Sequence, residues 1–262
     1  MTVADPRRLT CVNPSSAARP STIAQVLALL VSDPGRPRLT WYGDDGERVE
    51  LSGAVLQNWV SKTVNLLVEE FDAAPGTVVT LDLPAHWRGV LWALATWRSG
   101  ATVQLSSDAP AAGGDVVVTS RPGAWGDVIA GPAAADLVAV ALPALARAFD
   151  GDLPAGAIDA AAAVMTYGDV IGWAPGTDAD AVALEAPGAA AVSFADLVPA
   201  PAPAAERVLV DGGRPLGDVL RDLLATWAAD GSVVLASAAT AAELAADPAR
   251  LSRLRETERV TA

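Results

Sequence analysis

A chain of 262 residues, 52% of them apolar and 19% charged, is long enough for one large α/β domain whose core needs no covalent staples. Its 31 acidic against 18 basic residues give a formal charge of −13, which argues against a nucleic-acid partner, because counterion release requires a basic face. One cysteine, Cys11, and one histidine, His86, exclude an intramolecular disulfide and any thiolate or imidazole metal cluster, so no metal and no cofactor are expected and a cytoplasmic location fits.

Residues 1–20 are polar, contain proline and lack periodicity, and read as a mobile arm ahead of a single α/β domain over 21–262. A division of that domain into halves, 21–145 and 146–262, is the alternative. Ser21 or Thr22 caps a helix to about Val31 with Ile23, Val26, Leu27 and Leu30 on one face. That run contains Gln25 and stops at Ser32-Asp33, so it neither spans a membrane nor serves as a signal peptide, and no membrane partner is expected. Arg38 to Tyr42 and Glu47 to Leu51 flank Gly43-Asp44-Asp45-Gly46 as a hairpin, and the two aspartates read as solvated turn residues rather than metal ligands.

Ser52 caps the next helix, in which Val55, Leu56, Trp59, Val60, Thr63, Val64, Leu67, Val68 and Phe71 form the apolar face. Gln57, Ser61, Lys62, Asn65 and Glu69 fill the opposite face, which is expected to be wet. Lys62 is the only lysine; arginine supplies the other 17 of the 18 basic residues.

Thr77 to Ser106 is the most legible stretch. A β-branched run stops at Pro84, an apolar helix carrying Trp87, Trp92 and Trp97 closes at Gly100, and a second strand covers Ala101 to Leu105. This is a βαβ unit, and its helix has so little polar surface that it must be covered on more than one side. His86, just before that helix, reads as a capping or solvent-contacting residue rather than a catalytic base.

Further strands are expected at Asp115 to Thr119 and Asp136 to Leu142, with a loop over 106–114 and an alanine-rich helix around Asp159 to Val164. Tyr167, beside Gly168-Asp169, is a candidate pocket residue, with a lid over core as the competing reading. Glu206 to Ser237 forms a second βαβ unit: strand Arg207 to Val210, helix Pro215 to Ala229, strand Ser232 to Ala236. Gly212, Gly213 and Arg214 ahead of its helix are a candidate anion site, where free N–H groups, a helix start and a guanidinium coincide. Asp211 and Asp218 work against that, and a plain strand-to-helix turn competes. Thr240 to Glu243 reads as a capping box, and Asp247-Pro248 as the start of a last helix.

The string PGTVVTLDLPAHWRGVLWALATWRSGATVQL, Pro75 to Leu105, resembles the segment of adenylate-forming enzymes (acyl-CoA synthetases, peptide-synthetase adenylation domains, luciferases) in which a PGDxV strand and an LPN turn lead into a helix ending in Gly-Ala. RLTWYGDDGERVELSGAVL, Arg38 to Leu56, resembles that family's hairpin and following helix, and Glu206 to Ser237 its strand, helix and GxxVVL strand. DPARLSRLRETERVTA, Asp247 to Ala262, resembles its late helix leading into a strand. Short actinobacterial members look similar, and the alanine-rich, arginine-for-lysine composition suits a high-G+C genome. The resemblance implies a layered, mostly parallel sheet with helices on both faces, like the first half of the family's large N-terminal domain. It also implies that the adenine-contacting motif, the ribose-binding aspartate and the C-terminal domain with its catalytic lysine follow the matched segments.

The decisive place is Asp180 to Pro203. Here the family carries T-S-G-T-T-G-x-P-K-G, a loop that gathers N–H groups, hydroxyls and a lysine around a triphosphate. This chain offers Glu185-Ala186-Pro187 followed by Gly188 to Val198, in which only Ser193 and Leu197 match the helix start that follows the loop. With no lysine or hydroxyl in the loop and Glu185 repelling phosphate, a strand-to-strand turn is expected and no residue is assigned a catalytic role. The resulting expectation is a non-catalytic remnant serving as a binding or interaction module. The alternative is a minimal or split AMP-dependent synthetase completed by a partner chain. A protein partner or homodimer is expected to cover an apolar face near Leu244, Leu251 and Leu254, and a small-molecule ligand is allowed.

Overall fold

The computed structural model describes residues 19–106, 114–126 and 135–262. Most of the expected N-terminal arm, Cys11 and most of the 106–114 loop lie outside those residues. The expected layered α/β architecture is present, mostly parallel and covered by helices, with its strands divided between two sheets.

The first sheet joins the two ends of the described chain. Strand β1 (Pro37–Tyr42) pairs antiparallel with β2 (Arg48–Ser52) through the expected hairpin, and parallel with β11 (Ser232–Ser237), which in turn pairs parallel with β10 (Arg207–Gly212). Leu39 thus stands opposite Val233 and Tyr42 opposite Ala236. Beyond β10, the Thr261 N–H donates to the Arg207 carbonyl at 2.8 Å, so the last residues run along its outer edge.

The second sheet has the order β7-β6-β5-β3-β4-β8-β9. Its centre is β3 (Val78–Asp82) with β4 (Thr102–Leu105) on one side and β5 (Val116–Thr119) on the other, all parallel. β6 (Asp136–Ala139) and β7 (Ile158–Asp159) extend it beyond β5, and β8 (Val182–Glu185) lies parallel to β4. Only β9 (Val192–Ser193) runs antiparallel, against β8. Both sheets therefore draw strands from both sides of residue 145.

Helices α1 (Ile23–Leu30), α2 (Gly53–Phe71) and α3 (Trp87–Arg98) pack on one another, and α2 links the first sheet to the second. Thr22 and Ser52 accept the N–H groups of Gln25 and Val55 as N-caps, as their side-chain oxygens predict. α2 rests on β1 and β2, α3 rests on β3 and β4, and α2 packs on α3. This arrangement explains why α3 is apolar all round: every residue from Trp87 to Trp97 is buried. Trp97 Nε1 donates to the Ala183 carbonyl at 2.8 Å, satisfying the one polar atom of a wholly buried ring and tying α3 to β8. Gly100 adopts φ +83 just past the helix, as expected of a residue that ends it in the left-handed region.

The remaining α-helices among the described residues are α4 (Ala160–Ala163), α5 (Phe194–Leu197), α6 (Leu216–Ala228), α7 (Ala238–Ala246) and α8 (Pro248–Thr257). α6 buries Val219, Leu220, Leu223, Leu224 and Trp227 against β10 and β11, as its periodicity requires. Asp247 caps α8 by accepting from the Ala249 and Arg250 N–H groups at 3.0 Å.

Two local expectations are corrected. Thr240 is not the cap of α7: Ser237, at the end of β11, accepts the Thr240 N–H at 3.1 Å, so strand passes into helix three residues earlier. The polar face of α2 is only partly wet: Glu69 is exposed, but residues 164–172 lie over the stretch from Ser61 to Asn65. Ser61 and Asn65 are buried, and Asn65 donates to the Gly168 and Val170 carbonyls and accepts the Gly172 N–H. Lys62, half-buried, donates to the Tyr167 carbonyl at 2.6 Å. A buried amide can hold three backbone groups at once, which is why the polar pattern of this helix marks a seam and not a surface.

Leu244 is buried by the chain itself, and Leu251 and Leu254 are half-covered. The most exposed large apolar side chains are elsewhere, at Leu145, Met165, Val170 and Trp173. No helix among the described residues is long and apolar enough to cross a membrane.

Candidate functional site

In open α/β sheets, ligands sit beyond the carboxyl ends of the strands where the order reverses. In the second sheet that point is between β3 and β5, and it is filled. Asp82, at the end of β3, accepts from Thr119 Oγ1 and Trp125 Nε1 at 2.7 Å each, and from Nε and Nη2 of Arg121 at 2.8 to 3.1 Å. Burial works to raise its pKa, but these bonds hold it below the usual carboxylate range.

The turn after β8 has the geometry its sequence predicts. The β8–β9 pair brackets Ala186 to Ala191 with Gly188 at φ +72, and the Ala189 N–H closes on the Ala186 carbonyl at 3.2 Å. Glu185 accepts from Gln104 Nε2 at 3.1 Å. Ser193, the first hydroxyl after the turn in sequence, caps α5 by accepting the Asp196 N–H at 3.3 Å and donates to the Asp196 carboxylate at 2.9 Å. No side chain from Ala186 to Ala191 can donate a hydrogen bond, and the carboxylates of Glu185 and Asp196 flank the turn.

The other sequence candidates are not brought together. Tyr167 stands over α2, where its hydroxyl bonds Glu70; burial and that carboxylate raise its pKa to about 12. Gly213 gives its N–H to Asp211 Oδ1 at 2.7 Å, and the Arg214 guanidinium pairs with Asp222. Gly212 has a steric role: a Cβ there would lie 2.4 Å from the Ala236 carbonyl oxygen and 3.1 Å from that of Ala85. Gly212→Ala is therefore expected to cost about 1 to 3 kcal/mol in urea unfolding. Gly213→Ala, whose Cβ would meet only Asp211 Oδ1 at 3.1 Å and Ala238 beyond 3.5 Å, is expected to cost much less.

Gly212 lines a cleft of about 730 Å³ where the carboxyl ends of β1, β10 and β11 meet the turn after β3. Trp41, Leu142 and Pro143 give it apolar walls, and Asp44, Glu47, Ser237 and His86 give it polar groups. Ser237 Oγ donates to Asp44 Oδ1 at 2.5 Å; the neighbouring Asp45 lies outside the described side chains. Among the described residues no group of three metal-ligating side chains forms. Glu47 accepts from Trp41 Nε1 at 3.1 Å and from the Ala144 N–H at 2.8 Å.

His86 caps α3 as expected, its Nδ1 accepting the Arg88 N–H at 3.1 Å, but it does so while 4% exposed, with Trp41 edge-on at 4.5 Å between centroids. Burial, aided by the Arg88 charge, drops its pKa to about 3, so the ring is neutral with its proton on Nε2. Arg88 stacks over Trp87 and donates to the carbonyls of Leu142, Pro143 and Ala144, which fixes that wall of the cleft. No local pattern announces this cleft, because its residues come from separate segments; the one available signal is a histidine in the turn between a central strand and its helix.

Several solved structures with this architecture are acyl-CoA synthetases. The Brucella canis acyl-CoA synthetase superposes with a TM-score of 0.61 at 18% identity, over 82% of this chain and 46% of that one. The fold is that of acyl-CoA synthetases. The Streptomyces lividans acetoacetyl-CoA synthetase also superposes at 0.61, with 15% identity over 82% of this chain and 38% of that one. A Mycobacterium tuberculosis fatty acyl CoA synthetase gives 0.53 at 13% identity, over 83% and 44%. The chain thus spans less than half the length of these acyl-CoA synthetases. In sequence, it is 38% identical over 158 residues to a TIGR03089 family protein of Mycobacterium tuberculosis, covering 58% of this chain and 63% of that protein. No protein-family model matches the sequence.

Proposed function

We propose that this chain is a non-adenylating form of the acyl-CoA synthetase fold that serves as a binding module. The observation that carries the proposal is the turn between β8 and β9. Displacing pyrophosphate requires donors and positive charge converging on the triphosphate, and such electrostatic stabilisation is the main contribution a protein makes to that chemistry. Here the turn is alanine, proline and glycine, the first hydroxyl after it in sequence belongs to a helix cap, and Glu185 and Asp196 add negative charge. Lys62, the only lysine, is held against the Tyr167 carbonyl on α2.

Hydroxamate trapping of acyl-AMP, across fatty, aryl and amino acids with ATP and magnesium, is expected to give no signal above a no-protein control. An ATP-dependent signal proportional to protein concentration would overturn the proposal. It would favour a minimal synthetase instead.

A further inference from the structure

The cleft at the ends of β1, β10 and β11 has a charge pattern that no acyl-adenylate would suit. Asp44 and Glu47 both line it, and neither is within ion-pair distance of a cationic side chain among the described residues. Their partners are neutral: the Ser237 hydroxyl for Asp44, and the Trp41 indole and Ala144 N–H for Glu47. Each carboxylate accepts at up to four lone-pair sites, so both keep open positions. Arg88 is the cation that Glu47 influences, and its N–H groups are used on the carbonyls of residues 142–144. No lysine or arginine lines the cleft.

A second, independent observation concerns His86. Its ring is 4% exposed and lines the same cleft. With Nδ1 fixed as the acceptor of the Arg88 N–H, the opposite nitrogen is a donor, and no described residue accepts from it. Nε2 is not among the buried atoms left without a partner, so this donor still reaches the cleft that the ring lines and is available to a ligand acceptor. Trp41 adds an indole wall of the kind that favours a cation close to its ring, and Leu142 and Pro143 provide apolar surface.

We propose that the cleft binds a small organic amine: a protonated nitrogen held by Glu47 and Asp44, an uncharged oxygen accepting from His86 Nε2–H, and an apolar body between Trp41 and Leu142. The volume suits a ligand of that size. This inference rests on the binding-module reading and names the ligand class for it; two carboxylates in a cleft that no lysine or arginine lines repel carboxylate and phosphate ligands alike.

The test uses matched probes that share an apolar body and differ in charge, tyramine and phenylalaninol against 4-hydroxyphenylacetate and phenyllactate, titrated into the whole chain by calorimetry and ligand-observed NMR. Saturable binding of the amines alone is expected. It should be about tenfold weaker in Glu47→Gln and in His86→Asn, which retains an oxygen acceptor for the Arg88 N–H, and unchanged in Glu256→Gln on exposed α8. Equal binding of the carboxylates, binding indifferent to Glu47→Gln and His86→Asn, or no saturable binding of either amine would overturn the proposal. Acyl-adenylate formation by the same preparation is a separate readout: it would sink the non-adenylating reading, while the amine titration stands or falls on its own.

Discussion

Glu258→Ala is expected to remove on the order of 3 to 5 kcal/mol of stability, the range for breaking a buried ion pair from one side. Glu258 is 5% exposed and sits just after α8, yet it is the centre of a cluster drawn from the far side of the first sheet. Its Oε1 accepts from Tyr42 Oη at 2.6 Å and Arg48 Nε at 2.9 Å, and its Oε2 from the Arg207 guanidinium at 2.5 Å. Arg207 also donates to Thr40 Oγ1 at 2.9 Å, while its Nε is buried without a partner. Removing the carboxylate would leave Arg207 buried and uncompensated and would release the end of α8 from β1, β2 and β10.

Burial alone would raise the Glu258 pKa, but the bonds from Arg48, Tyr42 and Arg207 win and hold it at about 2. Because the folded value lies below the unfolded one near 4.5, its contribution is complete above that pH and is lost as pH falls from about 4.5 to about 2. Chemical denaturation at neutral pH checks the first expectation. A loss under about 1 kcal/mol would mean that the cluster only balances its own desolvation.

The second large effect is the acid sensitivity set by His86. Its folded pKa of about 3 lies below the unfolded 6.5, so the unfolded chain takes up a proton that the folded chain refuses. The sign follows: stability is complete above pH 6.5 and falls as pH drops toward 3, with a slope of up to about 1.4 kcal/mol per pH unit. As the chain has no other histidine, the interval from about pH 6.5 to 5 belongs to this ring, ahead of the carboxylates. Unfolding free energies measured across that interval should decline in the wild type and stay flat in His86→Asn. Equal slopes would contradict the burial and neutrality of the ring.

Which parts of this architecture could be read in advance follows from how local their causes are. The βαβ unit over Thr77 to Ser106 was legible because a β-branched run, an apolar helix and a terminal glycine each act within a few residues. The turn between β8 and β9 was legible for the same reason, Pro187-Gly188 between short strands. Strand partnership was not: β1 pairs with β11, about two hundred residues later, and nothing in either strand records that the sheet is separate from the one containing β3. Ser61 and Asn65 read as a wet face because their burial is imposed by residues 164–172, which carry no periodicity of their own. His86 was legible as a cap, since its position before α3 is local, whereas its burial against Trp41 and its place in the cleft depend on the hairpin of the first sheet.

The most direct test of the central claim is calorimetric titration of the chain with ATP and magnesium. If the turn from Glu185 to Val192 lacks the donors and charge to hold a triphosphate, no saturable binding will appear, and Glu185→Gln will not create it. Saturable ATP binding at one site, weakened by substitutions within residues 185–193, would contradict the account.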